Sequence, residues 1–291
     1  MSVTPDISVI LVSLNTLDYL KRALACIPLG FKAYTTEVIV VDNGSTDGSV
    51  EYLSSLQEIR LIANQTNLGF AHANNQAFEI MQGAHAFLLN SDAFLHEACG
   101  DLLMTFLLQH PEAGLAVPTF EYPDGRWQLN SEDLPTVWKN AKAVLGINNL
   151  LHLYYKVVKK WGWRFLRPGR VGFAAGAGLL IRGEVLRDIG GFSPDYFFYG
   201  EDLDYGYRAA KAGWSTWWVP QACLTHVRGA SGARKNFEAG LRAKFLAYVG
   251  FLVRNYPLQK ARLIYALKYL YYQRLFMSAQ LGSWIPGLRR R

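Results

Sequence analysis

Polar residues with the chemistry of a nucleotide site follow one of the apolar segments near the N-terminus. Asp42, Asn43 and Ser45 lie in the segment Val41–Gly48, directly after an apolar run. A carboxylate and a hydroxyl at a strand end, where a helix begins, offer hydrogen-bond partners to a nucleoside. The segment predicts a nucleoside site, and a simple helix-capping turn is the alternative that it leaves open.

Ser91 and Asp92 end a second apolar run, His85–Asn90. A single carboxylate at a strand end can hold a divalent cation, because Mg²⁺ takes one or two protein carboxylates and fills its other positions with water and phosphate oxygens. The pattern predicts a metal and phosphate site, with a strand-terminating turn as the alternative.

Three acids and an arginine fall within a predicted helix, 201–212. Asp204 and Arg208 are spaced as an i,i+4 ion pair. Glu201 and Asp202 lie at the helix N-terminus, where capping accounts for one acid. Since Asp202 faces away from the row of Asp204 and Arg208, we expect it to be a free base.

His226 ends a further apolar segment and precedes a Gly- and Ser-rich stretch. An ordinary polar core histidine is the alternative to a functional one.

These residues must be positioned by an α/β fold. Continuous apolar, β-branched runs predict strands buried on both faces of a sheet at 7–12, 37–41, 59–63, 85–90, 114–118 and 215–219. Periodic apolar residues predict helices at 17–26, 48–56, 70–82, 97–110 and 201–212. Alternation at this spacing means right-handed βαβ units, and therefore an open, mostly parallel sheet flanked by helices.

Charge is unevenly distributed along the 291 residues. Residues 1–138 have a net charge of −11, 139–170 of +8, 171–227 of −2 and 228–291 of +12, within a total of +7. We expect a sheet domain at 1–235 with a basic, aromatic helical insertion at 139–170. A basic helical extension at 236–291 would be broken near Pro257.

The basic segments favour an anionic membrane surface over nucleic acid, because they are rich in aromatic residues and the chain has no nucleic-acid-binding motif. The acidic sheet region favours a metal ion over Lys or Arg for binding the phosphates of a ligand. The helices of 236–281 are apolar nearly all round, so packing on the sheet or a homodimer through them is the alternative.

Cys26, Cys99 and Cys223 are an odd number with no C-x-x-C spacing. We expect small buried side chains in a reducing compartment, and not metal ligands or a disulfide framework. No uncharged apolar run approaches the roughly 20 residues of a spanning helix, and the N-terminus lacks signal-peptide features. A cytoplasmic protein is expected, peripheral if it contacts a membrane.

As an ordered set, several motifs resemble those of the family 2 glycosyltransferases with the GT-A fold, in particular the bacterial rhamnosyltransferase subgroup. The resemblance covers about residues 6–232 and rests on these segments: 7–15, 41–49, 67–75, 89–92, 176–177, 190–192, 201–208 and His226.

The resemblance implies roles for individual residues. It implies nucleotide and donor binding by Ser13, Asn15, Asp42, Asn43, Ser45, Asn67, Gly69, Asn74, Ser91 and Asp92. Gly176 and Glu201 would contact the acceptor or the donor sugar. Asp92 and His226 would hold Mg²⁺ or Mn²⁺, and Asp202 would be the catalytic base.

It also implies inverting transfer of a sugar, with L-rhamnose from dTDP-L-rhamnose favoured, to a glycan or polyprenyl-linked glycan acceptor in bacterial surface polysaccharide synthesis. UDP-hexose and UDP-galactofuranose are alternative donors. The family's D-x-D motif has Asn90 as its first residue here, so the metal would have one carboxylate. A nucleotide-sugar-binding protein without transfer activity is therefore a second hypothesis. A nucleotidyltransferase is disfavoured, because the loop 13–16 has neither Gly nor Lys.

Overall fold

The computed structural model describes residues 4–145, 166–227, 229 and 237–284. The strands are β1 (Ile7–Ser13), β2 (Thr36–Asp42), β3 (Ile59–Ala63), β4 (His85–Asn90), β5 (Ala93–Leu95), β6 (Ala113–Glu121), β7 (Trp127–Gln128), β8 (Ser131–Glu132), β9 (Gly169–Val171), β10 (Phe173–Ala174), β11 (Gly178–Ile181) and β12 (Ser215–His226). The helices are α1 (Leu17–Gly30), α2 (Ser49–Ser54), α3 (Phe70–Ile80), α4 (Cys99–Gln109), α5 (Val137–Val144), α6 (Gly183–Ile189), α7 (Glu201–Lys211), α8 (Phe237–Asn255) and α9 (Leu258–Trp284).

The main sheet has the strand order β3-β2-β1-β4-β11-β6-β12-β5. β1 is parallel to β2 and β4, and β2 is parallel to β3. β11 is antiparallel to both β4 and β6, whereas β12 is parallel to β6. The strands β1, β2, β4, β6 and β12 therefore all run in one direction. The predicted α/β class, an open and mostly parallel sheet with flanking helices, is confirmed.

The central strands of the sheet are buried on both faces, which explains why their sequences are continuous apolar runs. Ile7, Val9, Ile10 and Leu11 of β1 are at most 1% exposed. Complete burial of such a side chain stabilises the fold by about 1.5–3 kcal/mol. The register pairs Ser13 with Asp42, so the polar ends of neighbouring strands meet at one edge of the sheet.

The last long strand differs from its prediction. The apolar pattern predicted a strand at 215–219, but β12 continues to His226. The chain remains extended after Pro220 and shifts register between Val219 and Cys223, a bulge that a periodicity pattern does not show. This extension brings His226 to the same edge of the sheet as the ends of β1, β2 and β4.

The chain divides into two compact units, Met1–Leu134 with Trp163–Lys244, and Pro135–Gly162 with Phe245–Arg291. In the second unit, α5 overlaps the start of the predicted insertion 139–170, of which residues 146–165 are outside the described residues. α8 ends before Pro257 and α9 begins after it, as predicted. Within the described ranges, no helix combines the length and the apolar character that a membrane span needs.

Candidate functional site

Asp42, the last residue of β2, is fully buried, and its carboxylate shapes the following turn. Its Oδ1 accepts hydrogen bonds from the backbone N–H groups of Gly44 (3.1 Å) and Ser45 (2.7 Å). Its Oδ2 accepts one from the Ser45 hydroxyl at 2.7 Å. Gly44 has a φ of +85°, a conformation that favours glycine. In this arrangement Asp42 positions the turn, and a direct contact with a nucleoside stays a prediction.

The exposed residue Asn15 joins the end of β1 to the same turn. Its Oδ1 accepts a hydrogen bond from the Thr46 N–H at 2.8 Å, and its own N–H donates to the Ser45 hydroxyl at 2.8 Å. The φ of Asn15 is +51°, which asparagine tolerates better than most residues. Asp47 accepts a hydrogen bond from Leu17 N–H at 2.9 Å, at the start of α1. The two strand ends thus form one polar surface.

The loop after β3 packs onto this surface. Asn67 Oδ1 accepts hydrogen bonds from the Gly69 N–H (2.9 Å) and from Asn43 Nδ2 (3.3 Å). Asn74 is buried in α3, and its Nδ2 donates to the Phe70 carbonyl at 2.8 Å. The structure brings Asn43, Asn67 and Gly69 together. Asn74 instead bonds a backbone carbonyl of its own helix, and its contact with a ligand stays a prediction.

A chain of buried hydroxyls connects β1 to the segment after β4. Ser13 Oγ lies 3.1 Å from Thr16 Oγ1, which donates to Ser91 Oγ at 2.9 Å. All three side chains are at most 7% exposed. Because Asp92 follows Ser91 directly, this network ties the turn that contains Asp92 to the first strand end.

Asp92 and His226 meet at the sheet edge, as the resemblance implied. Asp92 Oδ1 lies 3.2 Å from His226 Nε2, and both residues are buried. The other ring nitrogen, Nδ1, lies 2.6 Å from Gln128 Oε1, and Gln128 Nε2 donates to the His226 carbonyl at 3.1 Å. The ring also makes an edge contact with Phe120. The imidazole is therefore held on three sides, with one nitrogen directed at a carboxylate.

This pair fits a divalent cation. An octahedral ion with ligand bonds of about 2.1 Å holds neighbouring ligand atoms about 3 Å apart, close to the separation of the two ligand atoms in the structure. Carboxylate oxygen suits both Mg²⁺ and Mn²⁺, and imidazole nitrogen favours Mn²⁺ of the two. Asp92 and His226 can therefore supply two of the ligands of such an ion.

Asp202, in the first turn of α7, is held by Gly176. Its Oδ1 accepts a hydrogen bond from the Gly176 N–H at 3.0 Å. A Cβ at position 176 would lie 2.9 Å from the Phe70 ring and 3.1 Å from the same carboxylate oxygen, so only glycine fits without displacement. The next residue, Ala177, accepts a hydrogen bond from the N–H of Asn90 at 3.1 Å. The segment 176–177 thus connects Asp202 to the end of β4.

Asp202 also lines a cavity of about 210 Å³. The other lining residues are Leu129, Asn130, Ser131, Glu132, Phe173 and Ala175. They combine apolar side chains with polar ones, and three of them lie on two short strands that pair with each other, β8 and β10. Among the described residues, Asp202 Oδ2 has no hydrogen-bond partner, so it can accept a proton from a group in this cavity.

Two neighbouring carboxyl groups at the start of α7 have raised pKa values. Burial raises the pKa of Glu201 to about 7. Burial also raises the pKa of Asp202 well above its ordinary range; the Glu201 charge raises it further, and the Gly176 N–H opposes both effects. The two groups titrate as a pair. Asp204 instead forms the predicted ion pair with Arg208, at 2.7 Å.

Gln128 and Thr16 are parts of this site that the sequence patterns did not single out for it. The hairpin of β6 and β7 brings Gln128 opposite Phe120. The contact with His226 also requires β6 to pair with β12, and no local pattern encodes that pairing. Thr16 precedes α1, but its side chain makes no capping bond and instead joins the hydroxyl network.

Comparisons with known proteins show the family of the chain and its fold. Residues 8–186 match the family model described as glycosyl transferase family 2. An N-acetylglucosaminyl-diphospho-decaprenol L-rhamnosyltransferase of Mycobacterium tuberculosis is 29% identical over 249 residues, 79% of each chain. A mannosyltransferase of Pyrobaculum calidifontis, solved with GDP-Man and Mn²⁺, has a TM-score of 0.56 at 18% identity and covers 92% of this chain and 70% of its own.

A second structure, GalNAc-T7 with UDP, GalNAc and Mn²⁺, has a TM-score of 0.58 at 14% identity and covers 97% of this chain and 58% of its own. Both likenesses show the fold, which is of the GT-A type. The family model spans the strand ends that carry Ser13, Asp42 and Asp92. The chain therefore belongs to glycosyl transferase family 2.

Proposed function

We propose that this glycosyltransferase moves L-rhamnose from dTDP-L-rhamnose to a polyprenyl-diphosphate-linked glycan, with inversion at the anomeric carbon. The rhamnosyltransferase from M. tuberculosis supports both the sugar and the lipid-linked acceptor, because its alignment covers 79% of each chain. The thymidine base rests on resemblance to the subgroup. UDP-hexose and UDP-galactofuranose are the competing donors.

The observation that carries the proposal is how the two carboxylate oxygens of Asp202 are placed. One carboxylate oxygen is fixed by the Gly176 N–H at 3.0 Å, and the other is available at the cavity. A raised pKa makes this carboxylate a stronger base than an exposed aspartate. We assign Asp202 as the general base and the cavity as the place of the acceptor hydroxyl.

The proposed reaction is a single displacement. The acceptor oxygen attacks the anomeric carbon opposite the diphosphate, and its proton passes to Asp202 Oδ2. The bond between the anomeric carbon and the diphosphate oxygen breaks, and the electron pair leaves with the diphosphate. The transition state resembles an oxocarbenium ion, as in inverting glycosidases.

Asp92 and His226 would hold Mg²⁺ or Mn²⁺ beside the diphosphate. The bound ion would offset the charge that develops on the leaving group. The turns around Asp42 and Asn15 would bind the nucleoside through their exposed edges. In this role the buried Asp42 carboxylate keeps the turn in shape, and the groups of Asn15, Ser45 and Thr46 face the ligand.

We propose that the protein is cytoplasmic and peripheral on the inner membrane, with 1–235 as the transferase domain and 236–291 as the membrane-binding extension. In the second compact unit, α9 combines the basic residues Lys260 and Arg262 with exposed apolar residues such as Leu263 and Leu270. Aromatic and basic side chains together suit an anionic lipid surface, where a lipid-linked acceptor is available. A homodimer through the same helices is the competing proposal.

The variant Asp202→Asn tests the catalytic assignment. It keeps the size of the side chain and removes the base, so we expect turnover to be abolished while nucleotide affinity is retained. The matched control is Asp188→Asn, an exposed aspartate that bonds Trp214 Nε1 at 2.8 Å and lies outside the site. Turnover of Asp202→Asn within about tenfold of wild type, a loss of less than about 1.4 kcal/mol in transition-state stabilisation, would sink the assignment.

The single carboxylate of the segment Asn90–Asp92 favours one other function, nucleotide-sugar binding without transfer. Calorimetry distinguishes the two functions. Binding of nucleotide-diphosphate sugars without product from any donor and acceptor pair, at saturating Mg²⁺ or Mn²⁺, would support the binding protein.

A further inference from the structure

A second group of metal-binding side chains lies in the first compact unit. His96 follows β5, Glu121 ends β6 and Cys223 lies in β12. Their ligand atoms all lie within 4.8 Å of one another. Cys223 is 4% exposed, and the other two residues are half-buried. None of the three belongs to the candidate transferase site.

Strand pairing brings these residues together. In the register of β6 and β12, Thr225 is opposite Glu121, and Cys223 lies two residues earlier, on the same face as Thr225. The His96 N–H donates to the Cys223 carbonyl at 3.1 Å, which fixes the start of the loop after β5. By the same alternation, His226 lies on the opposite face of β12, so the two candidate metal sites are distinct.

We propose that His96, Glu121 and Cys223 bind a divalent cation of the Zn²⁺ type. A thiolate, an imidazole and a carboxylate are the three ligand classes of protein zinc sites, and the thiolate selects against Mg²⁺. Tetrahedral zinc, with bonds of about 2.0–2.3 Å, holds its ligand atoms roughly 3.5 Å apart. The three ligand atoms, now within 4.8 Å of one another, would therefore reach this spacing by side-chain movements of about an ångström. Water would complete the coordination.

Neighbouring groups single out the ligands. The Thr225 hydroxyl lies 2.9 Å from His96 Nε2 and can hold the ring, as partners of metal-binding histidines commonly do. Cys26 Sγ accepts the N–H of Leu95 at 3.1 Å. Cys223 is the cysteine whose Sγ lies within 4.8 Å of the ligand atoms of His96 and Glu121, so we assign it the thiolate, a role that the sequence analysis did not give it.

Such an ion would bind three separate parts of the sheet. It would fix the short strand β5 against β12 and β6 at the edge of the sheet. An ion that binds only the folded chain stabilises it by mass action, so the site would raise the melting temperature when the metal is supplied.

Cobalt substitution in the full chain tests this site. The chelator-treated protein is titrated with Co²⁺, which gives a thiolate-to-cobalt charge-transfer band only when a cysteine coordinates the metal. We expect one Co²⁺ per chain with this band, and displacement of the band by Zn²⁺. Cys223→Ser should lose the band, and Glu121→Gln should bind Co²⁺ at least about tenfold more weakly.

Two controls make the assignment specific. Cys26→Ser changes a nearby thiol outside the group and should keep the band, and Asp92→Asn should keep it because that residue lies at the other site. Zn²⁺ should raise the melting temperature of the wild type and of Cys26→Ser, but not of Cys223→Ser. A wild-type chain without the band, or a band that persists in Cys223→Ser, overturns the proposal. If Cys223→Ser does not fold, a Co²⁺ affinity of Glu121→Gln equal to that of the wild type also overturns the proposal.

Discussion

The side-chain Oε1 of Gln128 lies 2.6 Å from Nδ1 of His226, and the amide Nε2 of Gln128 donates to the His226 carbonyl. The second bond fixes the orientation of the amide, so Oε1 accepts the Nδ1 proton. The lone pair of neutral histidine is then at Nε2, which lies 3.2 Å from Asp92 Oδ1. A glutamine that no motif marks therefore prepares the nitrogen that faces the candidate metal position.

Replacing Gln128 with Leu should weaken metal binding. The substitution keeps an apolar volume in this buried position but removes both hydrogen bonds to His226. We expect an affinity for Mn²⁺ about 10- to 100-fold lower, measured by calorimetry with the donor nucleotide present. The matched control is Gln221→Leu, an exposed glutamine on the same strand β12. Mn²⁺ affinity within about twofold of wild type would show that Gln128 does not position the ligand.

The conformational stability should fall as the pH rises through the neutral range. Burial raises the pKa of folded Glu201 from 4.5 to about 7. Between these pH values folded Glu201 holds a proton that the unfolded chain has released, so the free energy of unfolding decreases with rising pH. The contribution of Glu201 is complete below pH 4.5 and is lost as the pH rises through about 7. Its magnitude is of the order of 3 kcal/mol.

Glu201→Gln should make this dependence shallower, as measured by urea unfolding between about pH 5 and pH 8. Asp202 retains a dependence of the same sign, since burial also raises its pKa. The control is Glu97→Gln, because Lys32 lowers the pKa of this exposed carboxyl and gives the opposite sign. If the free energy of unfolding depends on pH as steeply in Glu201→Gln as in the wild type, Glu201 is not the source of this dependence.

The sequence predicted the elements whose burial is encoded locally. β3 and β4 lie where predicted, and β1 and β2 extend by one or two residues, because strands buried on both faces read as continuous apolar runs. The pair β8 and β10 was not predicted, since two residues per strand give no periodic pattern. These short strands are nevertheless the ones that line the cavity beside Asp202.

The site, like the fold, was predictable where local motifs encode it and not where it depends on strand pairing. The ordered motifs predicted Asp92, His226 and Asp202 as site residues, and this assignment and their roles stay proposals. The motifs did not indicate that Asp42 is fully buried, because its burial depends on the sheet neighbours and on the turn that its carboxylate forms. They also left Cys223 beside His96 and Glu121 unforeseen, because that contact requires the register of β6 and β12.

A methyl group at Gly176 should impair catalysis without preventing donor binding. The added Cβ would lie 3.1 Å from the Asp202 carboxylate and 2.9 Å from the Phe70 ring, so one of these groups must move. Displacement of a reacting group by about 1 Å can cost 100-fold in rate. We therefore expect kcat to fall by about 10- to 100-fold in Gly176→Ala, with little change in donor affinity. Gly169→Ala is the control, because nothing lies within 4 Å of its added Cβ. Equal kcat values for the two variants would contradict this role of Gly176.

The basic C-terminal helices should bind anionic membranes in a salt-dependent manner. Each basic residue near an anionic surface contributes about 1 kcal/mol, and salt screens this attraction. We expect the protein to float with vesicles that contain anionic lipid at low salt, and to be released at high salt. The double variant Lys260→Glu and Arg262→Glu should bind more weakly, whereas Lys21→Glu with Lys211→Glu, at exposed positions of the other unit, should not. No flotation of the wild type at low salt rules out the membrane role, and sedimentation of the same sample then tests the homodimer.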